Sequence, residues 1–480
     1  MKKHITVLAL LILLAALLTS CASNGNNTDT DTESTTESES ENNTDTKSEN
    51  ETQSAADEEI EYPERFFIFR IWNFTLYSTK SVHKVIDTIA EDGFNAIKVH
   101  VPWAHCEKVR GEYDFTFFDD MVDYVVNEKG LFCALSLDLT RHVNDPVFSD
   151  DQFMKNPGGA LSVGSERTQI SFADKDITDA AVEFYGEAVK HFNEKFGKKI
   201  IFYLPAFSQY CETEYWCGDN VDFSAGMRSG FADYCAEIYE GDVEKFNRLN
   251  SSTVKSFDQI KLPSNGMSSH FGMLMYQYKH KLLKDMIDRL ADVQHTACPG
   301  TKFAIQLGCV WDSAAAFQRI TLGFEELCEK IDILWVDDSP TFNHRFSCDY
   351  LRSNLPEGVE LAQEIDGPSQ VGASQENYLR QGLECYQYGC RYVSIANWGL
   401  NEVYESYKSV WDEIISTWLG EDHPDVITLD ENSPVIELNI SDVFKSGGAY
   451  NIQSKYNSLS SGSKAVRIKL TDDMLHENPN

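Results

Sequence analysis

Residues 95–103 read Asn95-Ala96-Ile97-Lys98-Val99-His100-Val101-Pro102-Trp103, a short β-branched run ending in a proline and a tryptophan. It lies between two longer stretches with helical spacing of apolar residues, 82–92 and 117–129. A near-continuous apolar run between amphipathic helices reads as a strand buried on both faces. The same alternation continues on both sides. Strands are expected at 66–72, 95–103, 131–139, 199–207, 302–311, 331–337, 359–366 and 392–398. Helices are expected at 82–92, 117–129, 177–196, 271–294, 322–330, 346–355, 375–388 and 402–419. Eight strand–helix units in series predict an α/β fold, a (β/α)8 TIM barrel spanning residues 62–420. An open doubly wound sheet is the competing arrangement, but no strand is followed by a Gly-rich dinucleotide turn.

Two long insertions, 140–175 and 218–270, leave from the C-terminal ends of strands 3 and 4. That is the face where barrels of this type build their sites. After Gly420 the helical period is lost. Residues 426–429, 435–440 and 465–470 read as short strands, so 421–480 is expected to be a small β-rich extension.

The chain begins with Lys2 and Lys3, an apolar run from Ile5 to Leu18, and Leu18-Thr19-Ser20-Cys21. The run is too short to span a bilayer comfortably. The ending resembles the lipobox of bacterial lipoproteins, which implies that residues 1–21 are a signal peptide and that Cys21 carries lipid. Residues 22–61 are rich in Ser, Thr, Asn and acids. From Asn26 to Glu61 thirteen acids face one base, Lys47, so this stretch is expected to be a disordered tether with nothing to bury. The expected location is the extracellular face of the cell membrane, with Cys21 as the anchor. A net charge of −35 makes nucleic acid and anionic headgroups poor partners. Eleven cysteines remain after Cys21, an odd number, and none has zinc-ligand spacing. No metal and no organic cofactor is expected. Cys211 and Cys217 are a candidate disulfide, with two free thiols the plainer reading.

Functional side chains should gather at the C-terminal ends of the strands. Strand 1 ends in Arg70 and Trp72, strand 2 in His100 and Trp103, and strand 3 near Asp138 and Arg141. Strand 4 runs into Tyr210-Cys211-Glu212-Thr213-Glu214-Tyr215-Trp216. Strand 5 ends in Trp311, strand 6 in Asp337-Asp338, strand 7 in Glu364, and strand 8 in Asn397-Trp398. Rings beside acids and amides suit a sugar: rings pack on pyranose C–H faces, and polar groups bond the hydroxyls. Cleaving a glycosidic bond takes one carboxyl to protonate the leaving oxygen and a second to attack the anomeric carbon or activate water. Glu212 or Glu214 after strand 4, and Glu364 on strand 7, are the candidates. Strands 4 and 7 lie across the ring, and carboxyls there can approach to roughly 5–6 Å, the spacing of a covalent retaining mechanism. The candidate sugar contacts are Arg70, Trp72, His100, Trp103, Asp138, Tyr210, Trp311, Asp337, Asn397 and Trp398. Asp138 is read either as a sugar ligand or as a partner for Arg70, and Asp337-Asp338 either as a second acidic pair or as a loop salt bridge.

Gly93-Phe94-Asn95-Ala96-Ile97-Lys98 with Pro102-Trp103, followed by Gly111-Glu112-Tyr113-Asp114-Phe115, resembles the strand 2 region of clan A glycoside hydrolases. Among them the family 42 and family 35 β-galactosidases are the nearest. Glu364 and Trp398 fit the same clan. The resemblance implies a (β/α)8 barrel and a retaining mechanism, with the acid/base after strand 4 and Glu364 as nucleophile. It also implies an oligo- or polysaccharide substrate, probed first among β-galactosides. The clan carries Asn-Glu at its acid/base, whereas Cys211 and Thr213 precede the candidates here. Glu212-Thr213-Glu214-Tyr215 also resembles the acid segment of family 14 inverting enzymes. The alternatives of another class are a lipid-anchored solute-binding protein, built as two lobes of open sheet, and a barrel that binds glycan without cutting it.

Overall fold

The computed structural model describes residues 60–71, 78–264, 269–311, 318–439, 448–460 and 464–471. The expected signal peptide, Cys21, nearly all of the tether and Trp72 lie outside the described residues.

Eight parallel strands close into a barrel. They are β1 (Phe66–Ile71), β2 (Ala96–Pro102), β3 (Phe132–Asp138), β4 (Ile200–Ala206), β5 (Lys302–Gly308), β6 (Ile333–Asp337), β7 (Glu360–Ile365) and β8 (Cys390–Ile395). Each pairs with its neighbours in the chain, and β8 returns to β1 with Phe66 opposite Tyr392. The closed ring rules out the two-lobed architecture of a solute-binding protein.

The strands are buried on both faces because alternate residues serve two cores. Outward residues such as Phe67, Phe69, Ile97, Val99, Leu135, Ile305 and Val393 pack under the helices. Inward residues divide by height. Phe66, Ile68, Ala96, Ala134, Phe202, Ala304, Trp335, Ala362 and Tyr392 fill the lower barrel. Above them the inward positions turn polar, and that change of chemistry creates the site.

The surrounding helices are α1 (Thr79–Glu91), α2 (Thr116–Asp123), α3 (Lys175–Phe196), α4 (His270–Ala297), α5 (Phe324–Leu327), α6 (His344–Asn354), α7 (Gln375–Gln387) and α8 (Glu402–Trp418). Six begin at a side-chain cap: Ser78, Asp174, Ser269, Asn343, Ser374 and Asn401 each accept a hydrogen bond from a backbone N–H two or three residues on. α5 is shorter than the expected 322–330 because Gly323, in the left-handed region at φ 71°, starts it late and Cys328 ends it.

Within the first insertion, Arg141–His142, Val163–Gly164 and Arg167–Thr168 form a three-stranded antiparallel sheet. The second insertion holds two helices, Ala225–Ile238 and Val243–Asn250. The indole of Trp216 lies against Gly164 and Gly218, where any Cβ would overlap the ring.

The C-terminal region differs from the expectation. Val435–Leu438 and Arg467–Leu470 pair as strands, but in parallel, with helix Gly448–Leu459 between them in the chain; 426–429 forms no strand. Parallel neighbours require a crossover rather than a tight turn, so the extension is a βαβ unit and not a run of strands. It docks on α6, where Asp349 Oδ2 accepts from the Tyr456 hydroxyl at 2.6 Å and from Val466 N–H at 2.8 Å.

Candidate active site

The upper inward positions of β1, β2, β5, β7 and β8 converge on one carboxylate. Glu364 Oε1 accepts from Arg70 Nη1 at 2.9 Å and Gln306 Nε2 at 3.2 Å. Oε2 accepts from Lys98 Nζ at 2.8 Å and the Ser394 hydroxyl at 3.3 Å. Burial alone would raise this carboxyl's pKa, but Lys98 and Arg70 outweigh it and hold the group well below its ordinary range. Burial in turn lowers the Lys98 ammonium to about 8. Its Nζ also lies 4.4 Å from the centroid of the Trp335 ring.

The segment after β4 turns back to run beside β5. Thr213 N–H donates to the Gln306 carbonyl at 2.5 Å, and Thr213 Oγ1 accepts from Gln306 N–H at 3.0 Å. Cys211, at φ 70°, closes the turn before it. This places Glu212 and Glu214 on either side of Thr213, both near Arg319. Glu214 is fully buried, with Oε1 on Arg319 Nη1 and Oε2 accepting from Gly308 N–H at 2.8 Å. Burial pushes its pKa up to about 8, with Arg319 opposing. Both its oxygens are committed to the wall of the site. Glu212 Oε2 accepts the Ser208 hydroxyl, and its Oε1 lies 3.5 Å from Arg319. Glu364 and Glu212 both act electrostatically on Arg70 and on Asp337, which sits opposite Glu364 in the β6–β7 register. The two carboxylates therefore flank one space at the barrel mouth.

Asp337 faces that space. Burial first, then Asp366, Glu364 and Glu212, push its pKa well above the usual carboxylate range. Asp338 instead turns outward, where Ser347 of α6 donates to it; the pair is neither a double acid nor a salt bridge. Asn397, at φ 61°, donates Nδ2 to Asp366 Oδ1 at 2.5 Å. His100 Nε2 lies 3.1 Å from Asp138 Oδ2 and 3.7 Å from Cys211 Sγ. Burial disfavours the imidazolium, yet Cys211 and Asp138 hold the ring above its ordinary pKa. Arg167, delivered by the first insertion, donates to Asp138 at 2.7 Å and to Cys211 at 3.3 Å. Asp138 thus pairs with His100 and Arg167, not with Arg70.

Three of the expected sugar platforms are elsewhere. Trp103 is buried against Phe148 and Phe184, under the guanidinium of Arg141. Trp311 packs on Phe342 and Phe346. Trp398, 6% exposed, packs on Tyr378, Tyr407 and Trp411 of α7 and α8. Each follows a strand end at a position that faces the helix layer, so the large ring serves packing. Tyr210 is 40% exposed, with its ring edge-on to Trp216.

Lys98, Gln306, Ser394, Ser208, Arg167 and Arg319 are site residues that the sequence reading missed. Lys98, Gln306 and Ser394 were detectable as single polar residues inside apolar strands. The others reach the site only through loop geometry.

Among the described residues, two groups bring three potential metal ligands together. His100, Asp138 and Cys211 are one, but the Arg167 guanidinium already supplies the positive charge there. Cys348, Cys385 and Cys390 are the other, buried among α6, α7 and β8 with Cys348 and Cys390 sulfurs 3.7 Å apart. Cys211 and Cys217 are free thiols.

A closed (β/α)8 barrel whose mouth holds one carboxylate after strand 4 and another on strand 7 defines the clan A type of glycoside hydrolase architecture. The family model Glyco_hydro_42, Beta-galactosidase, matches residues 71–349, more than half of the chain, and the chain belongs to that family. The matched span ends before β7, and it is the closed ring that brings Glu364 to the site. Among solved structures, a β-galactosidase from Bacillus circulans sp. alkalophilus superposes with a TM-score of 0.65 at 13% identity, covering 86% of this chain and 66% of that one. A β-galactosidase from the Antarctic haloarchaeon Halorubrum lacusprofundi gives 0.61 at 13% identity, covering 84% and 66%. The catalytic domain of a β-amylase from Paenibacillus polymyxa gives 0.55 at 14% identity, covering 69% and 92%. At these identities the likeness is one of fold, and the chain spans just under two thirds of the two β-galactosidase chains. No curated protein matches it.

Proposed function

We propose that this chain is a retaining glycoside hydrolase acting on extracellular glycans, β-galactosidase-like in substrate, with Glu364 as nucleophile and Glu212 as acid/base. The observation that carries the reading is the setting of Glu364. Lys98 and Arg70 keep it ionised, as a nucleophile must be. In the first step Glu364 attacks the anomeric carbon while the Glu212 carboxyl gives its proton to the leaving oxygen. In the second, Glu212 takes a proton from water, which displaces Glu364 with a second inversion. Asp337, whose carboxyl is pushed well above the usual carboxylate range by burial and by Asp366, Glu364 and Glu212, is placed to hydrogen-bond a sugar hydroxyl. Glu214 positions Arg319 and does not transfer the proton.

The family membership and the fold support this reading, and the pairing of Lys2, Lys3 and the apolar run with Cys21 supports export and lipid anchoring. Among the described residues no helix is long and apolar enough to cross a membrane. The test is hydrolysis of nitrophenyl glycosides and polysaccharides with the product anomer followed by NMR. Retention, and loss of turnover in a folded Glu364→Gln variant, are expected. Wild-type turnover by that variant refutes the assignment, and glycan binding without hydrolysis across the panel identifies a binding barrel instead.

A further inference from the structure

A second cavity, of about 230 Å³, lies on the same face of the barrel. It is lined by Asn220 and Phe223 of the second insertion, Tyr276 and Lys279 of α4, and Gln318 and Ile320 after β5. Gln318 and Ile320 flank Arg319, whose guanidinium reaches to Glu214 and Glu212. The cavity and the carboxylates of the active site therefore share the wall formed by residues 318–320.

Lys279 gives the cavity its chemistry. It is 8% exposed and lines the space, and no hydrogen bond or salt bridge to its ammonium is found among the described residues, so the ammonium is open to the cavity. It lies 5.1 Å from the centroid of the Tyr215 ring. The nearby carboxylate of Asp222 is committed elsewhere. It accepts from the hydroxyls of Ser171 at 2.5 Å and Ser224 at 3.0 Å, and from the N–H groups of Ser224 at 2.7 Å and Lys155 at 3.2 Å. Taking an ammonium out of water without a counter-charge is unfavourable, and burial accordingly lowers its pKa to about 8, with Asp222 opposing. A ligand bringing one negative charge recovers that cost.

We propose that this cavity is a subsite for a monoanionic sugar unit of the glycan, a uronic acid or a monosulfated hexose, with Lys279 as its counter-charge. The proposal rests on the hydrolase reading and narrows its substrate to acidic glycans. Size and charge both select the ligand. The space is smaller than the roughly 300–1,000 Å³ of drug-sized pockets, which suits one ring. Asp219 on the cavity wall and Asp222 behind it disfavour a dianion, so one ammonium matches one charge. The amides of Asn220 and Gln318 suit hydroxyls, and Tyr276, Phe223 and Ile320 offer apolar surface. The chain's overall negative charge acts at long range and is screened beyond roughly 8–10 Å at physiological salt, whereas the buried ammonium acts within contact distance.

Calorimetric titration of the full chain at neutral pH with D-galacturonate, D-glucuronate, galactose 6-sulfate, galactose and inorganic phosphate tests this. At least one acidic sugar should bind about tenfold or more tighter than galactose and phosphate, the effect of one charge-assisted hydrogen bond. Lys279→Gln should erase the difference and Lys279→Arg should retain part of it. Equal binding of galactose, equal binding of bare phosphate, no binding of any acidic sugar, or wild-type behaviour of Lys279→Gln each overturns the proposal. If melting shows that Lys279→Gln is unfolded, Lys279→Arg and Asn220→Ala carry the comparison, and unchanged selectivity in both overturns it. Acidic-sugar binding by a chain that hydrolyses nothing refutes the hydrolase reading while the subsite stands. Hydrolysis of neutral glycosides without acidic-sugar binding refutes the subsite alone.

Discussion

Lys98 Nζ lies 2.8 Å from Glu364 Oε2 inside the barrel; Lys98 stands on β2, next to β1, and Glu364 on β7, beyond β8 on the other side of β1, whose Arg70 holds the other oxygen of the same carboxylate. The ion pair is buried at both ends, so its strength depends on the partners being present together. Removing one leaves an uncompensated charge, which is costly, whereas the intact pair is worth much less than its Coulomb energy suggests.

Lys98→Met should therefore destabilise the fold by about 3 kcal/mol and raise the pKa of Glu364, because one of its two cations is gone. The acid limb of kcat/KM then moves to higher pH. The linkage has a definite sign. Lys98 and Arg70 lower the folded carboxyl to about 2, below the roughly 4.3 of an unfolded glutamate. The stability it contributes is present above about pH 4 and is lost as pH falls toward the folded value. Glu364→Gln should flatten denaturation midpoints across that acid window. An unmoved acid limb in Lys98→Met counts against the role of the pair.

Glu212 and Glu214 should separate by leaving group. Glu212→Gln removes the proton donor, so poor leaving groups lose about 10²–10⁴-fold while activated nitrophenyl glycosides lose far less in the first step. Glu214→Gln should lower stability and disturb Arg319 without steepening the dependence on leaving-group pKa. A Brønsted series on the three enzymes checks this, and a steep slope in Glu214→Gln reverses the assignment.

Trp398→Ala should cost about 3–5 kcal/mol of stability, as loss of a buried indole does, and leave KM nearly unchanged in the folded fraction. Its ring is packed among Tyr378, Tyr407 and Trp411. Chemical denaturation with steady-state kinetics decides between packing residue and sugar platform.

Cys21→Ser should move the protein from the membrane fraction to the medium and abolish incorporation of labelled fatty acid. Continued membrane association of the variant contradicts the anchor.

The barrel was readable because its strands are apolar on both faces and its helices carry clear periodicity. The run 95–103 contained β2, and the reading of 359–366 contained β7 with Glu364 at its inner upper position. The tryptophans misled because a ring at a strand end has two possible faces, and which one it takes depends on a residue or two of register. Trp398 turned to α8. Lys98 was in plain view as a charge within Ala96-Ile97-Lys98-Val99, but its partner lies 266 positions away, a distance no local pattern spans. Arg319 and Arg167 arrive on loops whose course depends on packing. The C-terminal helix Gly448–Leu459 was overlooked because its polar sequence carries little periodicity.

The proposed role of Glu364 as the nucleophile at the anomeric carbon is tested most directly by trapping the covalent intermediate. A 2-deoxy-2-fluoro glycoside with an activated leaving group, chosen for the sugar the enzyme cleaves, slows breakdown of a covalent intermediate more than its formation. Digestion and peptide mass spectrometry then locate the label. The account predicts the fluorosugar on Glu364, with none in Glu364→Gln. A label on Glu212, Glu214 or Asp337, or inactivation without any covalent adduct, would contradict it.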